Sequence, residues 1–231
     1  MFNLNLLILA SSSPRRKELL SSIGIPFTVI EPTGDESYES NKKPEYIAQV
    51  LAQNKAVAVG KNKRHGMILA ADTIVTMDNQ IMGKPKTKIE ARAMLQQLKG
   101  KIHTVITGLA WIDIESGFSR TEFHKTVVQM REYTDHEVLR FIATGSPFDK
   151  AGGYAIQDAH FNPARKIIGC YTNVVGLPLC DVLKFLSKST SLRTAPHMLK
   201  LWASDNTTLE TPLNSSCKGC ETLIKRNAIQ K

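Results

Sequence analysis

The chain has 231 residues, 42% of them hydrophobic, which is enough for one sizeable α/β domain with a packed core. No apolar run reaches the ~20 residues that span a bilayer, and Asn3, Asn5 and Arg15-Arg16-Lys17 do not frame a signal peptide, so a cytoplasmic protein with no membrane partner is expected. The net charge of +9 fits an anionic partner, but only 6% of residues are aromatic and the cations sit beside acids, so no nucleic acid is required to account for it.

Residues 6–10 form a short apolar run that stops at Ser11-Ser12-Ser13-Pro14, and residues 15–23 then place Leu19, Leu20 and Ile23 at helical spacing. The pattern predicts buried strand, tight loop, helix, with Ser13 as N-cap and Pro14 at the first helical position. Phe27–Ile30 is a second strand and residues 44–59 an amphipathic helix carrying Lys55, with the acidic loop Asp35-Glu36-Ser37 between them. Met67–Met77 is apolar and β-branched around Asp72, and Asp78-Asn79 turns it into a hairpin with residues 80–83.

Capping-box spacing at Thr87 to Glu90 and at Thr134 to Glu137 starts two more helices, over residues 91–98 and 138–143. Residues 105–114 and 123–131 alternate as two long strands joined through Glu115-Ser116-Gly117, and residues 167–171 and 177–186 read as a last strand and a last packed helix. The fold class is α/β, a mixed twisted sheet with flanking helices. Periodicity fades after Ser187, so the domain is placed at 1–188, with 189–231 a weakly ordered C-terminal extension in which residues 198–202 form a short apolar patch.

Cys170 and Cys180 stand in apolar stretches and read as buried reduced thiols with no disulfide between them. Cys217 and Cys220 have metal or redox spacing, but the second ligand pair that a zinc site needs is missing nearby.

Several positions can carry chemistry. A strand-to-helix loop exposes backbone N–H groups, and in residues 11–16 the hydroxyls of Ser11 and Ser13 and the guanidinium groups of Arg15 and Arg16 surround them, a setting suited to phosphate oxygens. Asp72 lies inside an apolar strand, where a carboxylate is expensive to bury without a cation, metal or strong hydrogen bond. A structural ion pair with one lysine would account for it too, yet it is the best acid/base candidate. Gly83-Lys84-Pro85-Lys86 and Asp149-Lys150-Ala151-Gly152 add loop lysines. Arg15, Arg16, Lys55, Lys84 and Lys150 as cations, with Glu36 and Asp72 as metal or water ligands, make a set suited to metal-dependent cleavage of a triphosphate. A P-loop signature and an H-E-x-x-H zinc signature are both absent from the sequence.

Ser11 to Leu20, Ala70-Ala71-Asp72-Thr73-Ile74-Val75, Gly83-Lys84-Pro85, Asp149-Lys150-Ala151-Gly152 and Val175-Gly176-Leu177-Pro178-Leu179 together resemble the Maf-like nucleotide pyrophosphatases, over about residues 6–186. The resemblance implies two lobes around a deep cleft, frequent pairing as a homodimer, and hydrolysis of a nucleoside triphosphate to the monophosphate and pyrophosphate with a divalent cation, Mg2+ or Mn2+. It implies Asp72 as the proton acceptor, Glu36, Lys55 and Lys84 as catalytic or phosphate-contacting groups, and Arg15, Thr73 and Gln157 as positions that set substrate preference.

Gly153-Tyr154-Ala155-Ile156-Gln157 is similar to the branch acting on dTTP and UTP, and modified pyrimidine nucleotides are further candidate substrates. Enzymes acting on 7-methyl-GTP or other purine triphosphates are the alternative within the family. A nucleic-acid-binding or septum-regulating protein is the alternative from another class.

Overall fold

The computed structural model describes residues 6–34 and 37–188. Glu36, the extension from residue 189, its apolar patch at 198–202 and the Cys217/Cys220 pair lie outside them. β1 (Leu7–Ala10) is a fully buried four-residue strand, and the chain leaves it through Ser11-Ser12-Ser13 into α1 (Pro14–Ser21). Pro14 opens α1 because its φ is preset for a helix and its missing N–H is one that a first turn leaves unpaired anyway.

β2 (Phe27–Ile30) and β3 (Met67–Met77) both run parallel to β1, with α2 (Pro44–Gly60) crossing between them. Asp78 and Asn79 take positive φ values of 52° and 62°, the conformation of a two-residue hairpin turn, and return the chain as β4 (Gln80–Met82). α3 (Lys88–Leu98) leads to the long antiparallel pair β5 (Ile102–Asp113) and β6 (Ser119–Met130). α4 (Asp135–Ala143) starts at a complete capping box formed by Thr134 and Glu137. At α3 the box is half made: Thr87 caps the Glu90 N–H, while the Glu90 carboxylate takes the Lys86 N–H instead.

Two short 3-10 turns, Ser146–Asp149 and Ala151–Gly153, precede β7 (Ala164–Ile168), α5 (Tyr171–Val175) and α6 (Leu179–Lys188). The sequence pattern predicts the last strand at residues 167–171. The strand lies earlier, because Gly169, with φ 117°, breaks the run and Tyr171 begins a helix. Cys170 is buried and takes part in no disulfide, so none joins it to Cys180. Cys180 is half-buried and disulfide-bonded, which corrects the expectation of a reduced thiol there: its place on the first turn of α6, not the apolar run around it, governs its access.

All seven strands form one mixed sheet in the order β2-β1-β3-β5-β6-β7, with β4 paired to β3. Side chains alternate along β3, so Ile68, Ala70 and Ile74 pack under α2, whereas Met67, Leu69, Ala71, Val75 and Met77 pack into the cores beneath α1, α6, α3 and α4 on the other face. Gly108 of β5 makes the α2 contact possible, because a Cβ there would stand 2.1 Å from the Ala48 carbonyl oxygen. No helix among the described residues is long and apolar enough to cross a membrane.

Candidate active site

The site begins with a gap in the sheet. β1 pairs with β3 only as far as Ala10 opposite Ala70, and β4 pairs with β3 only from Val75 onward. Among the described residues, positions 71–74 of β3 thus have a strand neighbour on one side alone, that of β5. This open edge lies beyond the carboxyl end of a parallel strand, where α/β sheets place their ligand crevices. A cleft of about 620 Å³ opens there, with Asp72, Thr73 and Ile74 on its floor, Ser12 to Arg16 on one wall, and Gly83-Lys84, Lys150-Ala151 and Tyr154 to Gln157 on the other. A smaller polar cavity of about 310 Å³ shares Ser12, Arg16 and Lys55 with it.

On the α2 face Asp72 is 9% exposed and ion-paired with Lys55 of α2. An ammonium in direct contact offsets the cost of burying the carboxylate. A purely structural pair would look the same in isolation; this one opens onto a cleft lined with basic groups.

On the opposite face Thr73 is at the centre of a hydrogen-bond chain. Arg16 donates from Nε to the Gly176 carbonyl at 2.8 Å and from Nη2 to Thr73 Oγ1 at 3.1 Å. Thr107 Oγ1 donates to the Asn173 carbonyl at 3.2 Å, so its single proton is used and the Thr73 hydroxyl donates to it across 2.9 Å. Asn173 in turn donates from Nδ2 to the Val105 carbonyl at 3.1 Å and to Thr126 Oγ1 at 2.9 Å, fixing α5 and the Gly176 carbonyl that follows it.

The loop after β1 differs in detail from its sequence expectation. Ser13 holds the N-cap position but its hydroxyl makes no cap bond; Ser11 Oγ accepts the Ser13 N–H at 3.1 Å instead. Ser11 is 2% exposed and lines the smaller cavity, leaving Ser12 and Ser13 to face the main cleft. Arg15 reaches across the cleft to Asp149 at 3.3 Å. Lys150 pairs with the same carboxylate and donates to the Ser146 carbonyl at 2.6 Å. Burial pushes the Asp149 carboxyl up, but the bonds from Lys150 and Arg15 bring it below the ordinary range.

Lys84 and Gln157 are exposed at the rim. The structure thus gathers Ser13, Arg15, Arg16, Lys55, Asp72, Thr73, Lys84, Lys150 and Gln157 around one cleft, with Ser11 beneath it. Sequence reasoning passed over Thr107, Asn173 and Tyr38. Thr107, a hydroxyl inside the apolar run from Val105 to Leu109, carried the same signal as Asp72 in weaker form. Tyr38, which lines the cleft from a loop without periodicity, carried none.

Among the described residues no group of three or more His, Cys, Asp and Glu side chains gathers to cage a metal. Magnesium is commonly held by one or two carboxylates together with substrate phosphates, and Asp72 in a cleft lined by Arg15, Arg16, Lys84 and Lys150 fits that habit.

Known proteins match the chain over this same body. The family described as Maf-like protein matches residues 6–189. A dTTP/UTP pyrophosphatase of Citrifermentans bemidjiense is 46% identical over 180 residues, covering 78% of this chain and 93% of that protein. A dTTP/UTP pyrophosphatase of Alkaliphilus metalliredigens is 45% identical over 183 residues, 79% of this chain and 95% of that one. One of Thermomicrobium roseum is 46% identical over 185 residues, 79% and 84% of the two chains. With the motif residues assembled on one open sheet edge and the match running through all of them, the chain belongs to the Maf-like protein family.

Proposed function

We propose that this protein hydrolyses dTTP and UTP to the monophosphate and pyrophosphate. The observation that carries the proposal is the Lys55–Asp72 pair on the stretch of β3 that is open along one edge, facing a cleft whose walls carry Ser12 to Arg16, Lys84 and Lys150. The relatives named above, called dTTP/UTP pyrophosphatases, support the choice of substrate.

In this scheme Asp72 accepts a proton from a water that attacks the α phosphorus. The bond from that phosphorus to the bridging oxygen breaks, and pyrophosphate departs with the bridging oxygen. Lys55 stands beside the base, and Arg15, Arg16, Lys84 and Lys150 offset the phosphate charge. A divalent cation, Mg2+ or Mn2+, would be held by Asp72, with Glu36 as a second carboxylate, and supplies charge neutralisation at the phosphates when bound. Arg15, Thr73 and Gln157 select the base, since phosphates are alike in every nucleotide; a glutamine amide offers the donor and acceptor that match O4 and N3–H of uracil or thymine.

The test is product analysis across dTTP, UTP, CTP, GTP and 7-methyl-GTP with and without Mg2+ or Mn2+. Pyrophosphate release that needs the metal and is fastest with dTTP and UTP is expected. Orthophosphate as first product would overturn the reaction, and preference for 7-methyl-GTP would overturn the substrate.

A further inference from the structure

We propose that His103 is a positioning residue whose hydrogen bond with Tyr154 clasps the cleft wall bearing Lys150 and Gln157, and so governs base selection. The inference deepens the function proposed above and rests on it for what that wall contacts.

His103 lies on β5 opposite Val128 of β6, is 2% exposed and is not among the residues lining the cleft. Its Nε2 is 2.6 Å from the hydroxyl of Tyr154, and the two rings meet edge to face with centroids 5.4 Å apart. Tyr154 does line the cleft, three residues before Gln157.

Relative acidity sets the direction of this bond. Nδ1 of His103 is buried with no hydrogen-bond partner. Either direction leaves one donor and one acceptor of the pair unmet: the phenol proton with the Nδ1 lone pair, or the Nδ1 proton with the phenol oxygen. The phenol is the stronger acid and the imidazole nitrogen the stronger base, so Tyr154 donates and His103 accepts. Burial holds the His103 imidazole down at about 4, so it is neutral and able to accept at neutral pH.

A buried imidazole with an unmet nitrogen is a poor choice for stability alone. Tyr154 belongs to the same core cluster as Val128, Met130, Tyr133 and Phe161, where apolar rings at both 103 and 154 would leave nothing unpaired. Its value lies in where Tyr154 sits. Gly152 and Gly153, both with positive φ near 70°, turn the chain just before it, and the Gly152 N–H donates to the Gly83 carbonyl at 3.0 Å. Two long-range hydrogen bonds thus tie the stretch after Lys150 to the sheet: Gly152 to the loop of Lys84, and Tyr154 to β5. Without the second bond the stretch from Ala155 to Gln157 can pivot on the two glycines.

A double-mutant cycle with Tyr154→Phe and His103→Leu, together with His103→Gln, tests the clasp. Each of the first two substitutions should lower kcat/KM for dTTP about tenfold, through KM rather than kcat, and narrow the preference over GTP. The double variant should be little worse than either single, and His103→Gln, whose amide oxygen can accept the phenol proton, should recover most of the loss. Independently of turnover, amide hydrogen exchange across residues 150–157 should quicken about tenfold in Tyr154→Phe while the rest of the body is unchanged. Unaltered exchange there in folded Tyr154→Phe, or an equal loss for all nucleotides, would overturn the clasp. A parent that releases no pyrophosphate from any nucleotide would instead sink the proposed function, leaving the exchange measurement to decide the clasp.

Discussion

Asp72 and Thr73 are consecutive on β3, yet they belong to different environments. Asp72 faces α2 and is ion-paired with the Lys55 ammonium; Thr73 faces α1 and α5 and sits in a chain of neutral and cationic hydrogen bonds through Arg16, Thr107 and Gly176. An ion pair facing a cleft can be rearranged by substrate or metal, because phosphate oxygens or a cation can take the place of either charge. The Thr73 chain cannot shift without stranding several donors at once. On the proposed function, the ion pair would carry the chemistry and the hydrogen-bond network would hold the shape.

The largest effect is expected on the Asp72 side. Asp72→Asn should keep the fold and lower kcat by ~10²-fold or more, because an amide neither accepts the water's proton nor balances a cation. Steady-state kinetics on protein with a parental melting profile checks it, and near-normal turnover would remove Asp72 from the role.

Gly108→Ala attacks the same face through packing. The added Cβ would meet the Ala48 carbonyl and the Gln49 nitrogen, both backbone, so α2 with Lys55 must back away. Overpacking of this kind costs about 2 kcal/mol. Denaturant unfolding should show that loss; a variant as stable as the parent would mean that α2 rides more loosely on β5 than the structure shows.

On the Thr73 side Arg16→Lys keeps the charge but loses the planar fork that serves Gly176 and Thr73 together. A drop of about tenfold in kcat/KM, near 1.4 kcal/mol, is expected. If Arg16→Lys proved as damaging as Asp72→Asn, the division between chemistry and shape would fail.

The smallest effect belongs to the rim. Gln157→Glu should lower dTTP and UTP turnover by a few-fold and raise purine triphosphates in relative terms, because an exposed group can partly satisfy itself with water. An unchanged nucleotide ranking would place base selection elsewhere.

Much of this was legible from the residues. Alternation and turn chemistry alone located Phe27–Ile30 and Met67–Met77 with their observed bounds, as well as the Asp78-Asn79 turn and the Thr134 cap. The anomaly of a carboxylate in an apolar strand singled out Asp72. α5 was hidden because Tyr171, Thr172, Val174 and Val175 favour strands; its helix is held by distant partners, with Thr172 Oγ1 accepting the Leu179 N–H and Asn173 bonding to β5 and β6.

The sequence by itself therefore determined most of the local segments, α5 and the bounds of β7 excepted, and which chemical groups line the cleft, since both follow from spacing and residue type. Only the tertiary structure decided that β1 stops short of Asp72 and β4 starts beyond it, that Lys55 and not another lysine meets the carboxylate, and that Arg16 serves as a brace as well as a cation. Those outcomes depend on register and on contacts between residues as far apart as Arg16 and Gly176. Local periodicity carries no record of such pairings, because strands of the same pattern can be laid side by side in more than one register.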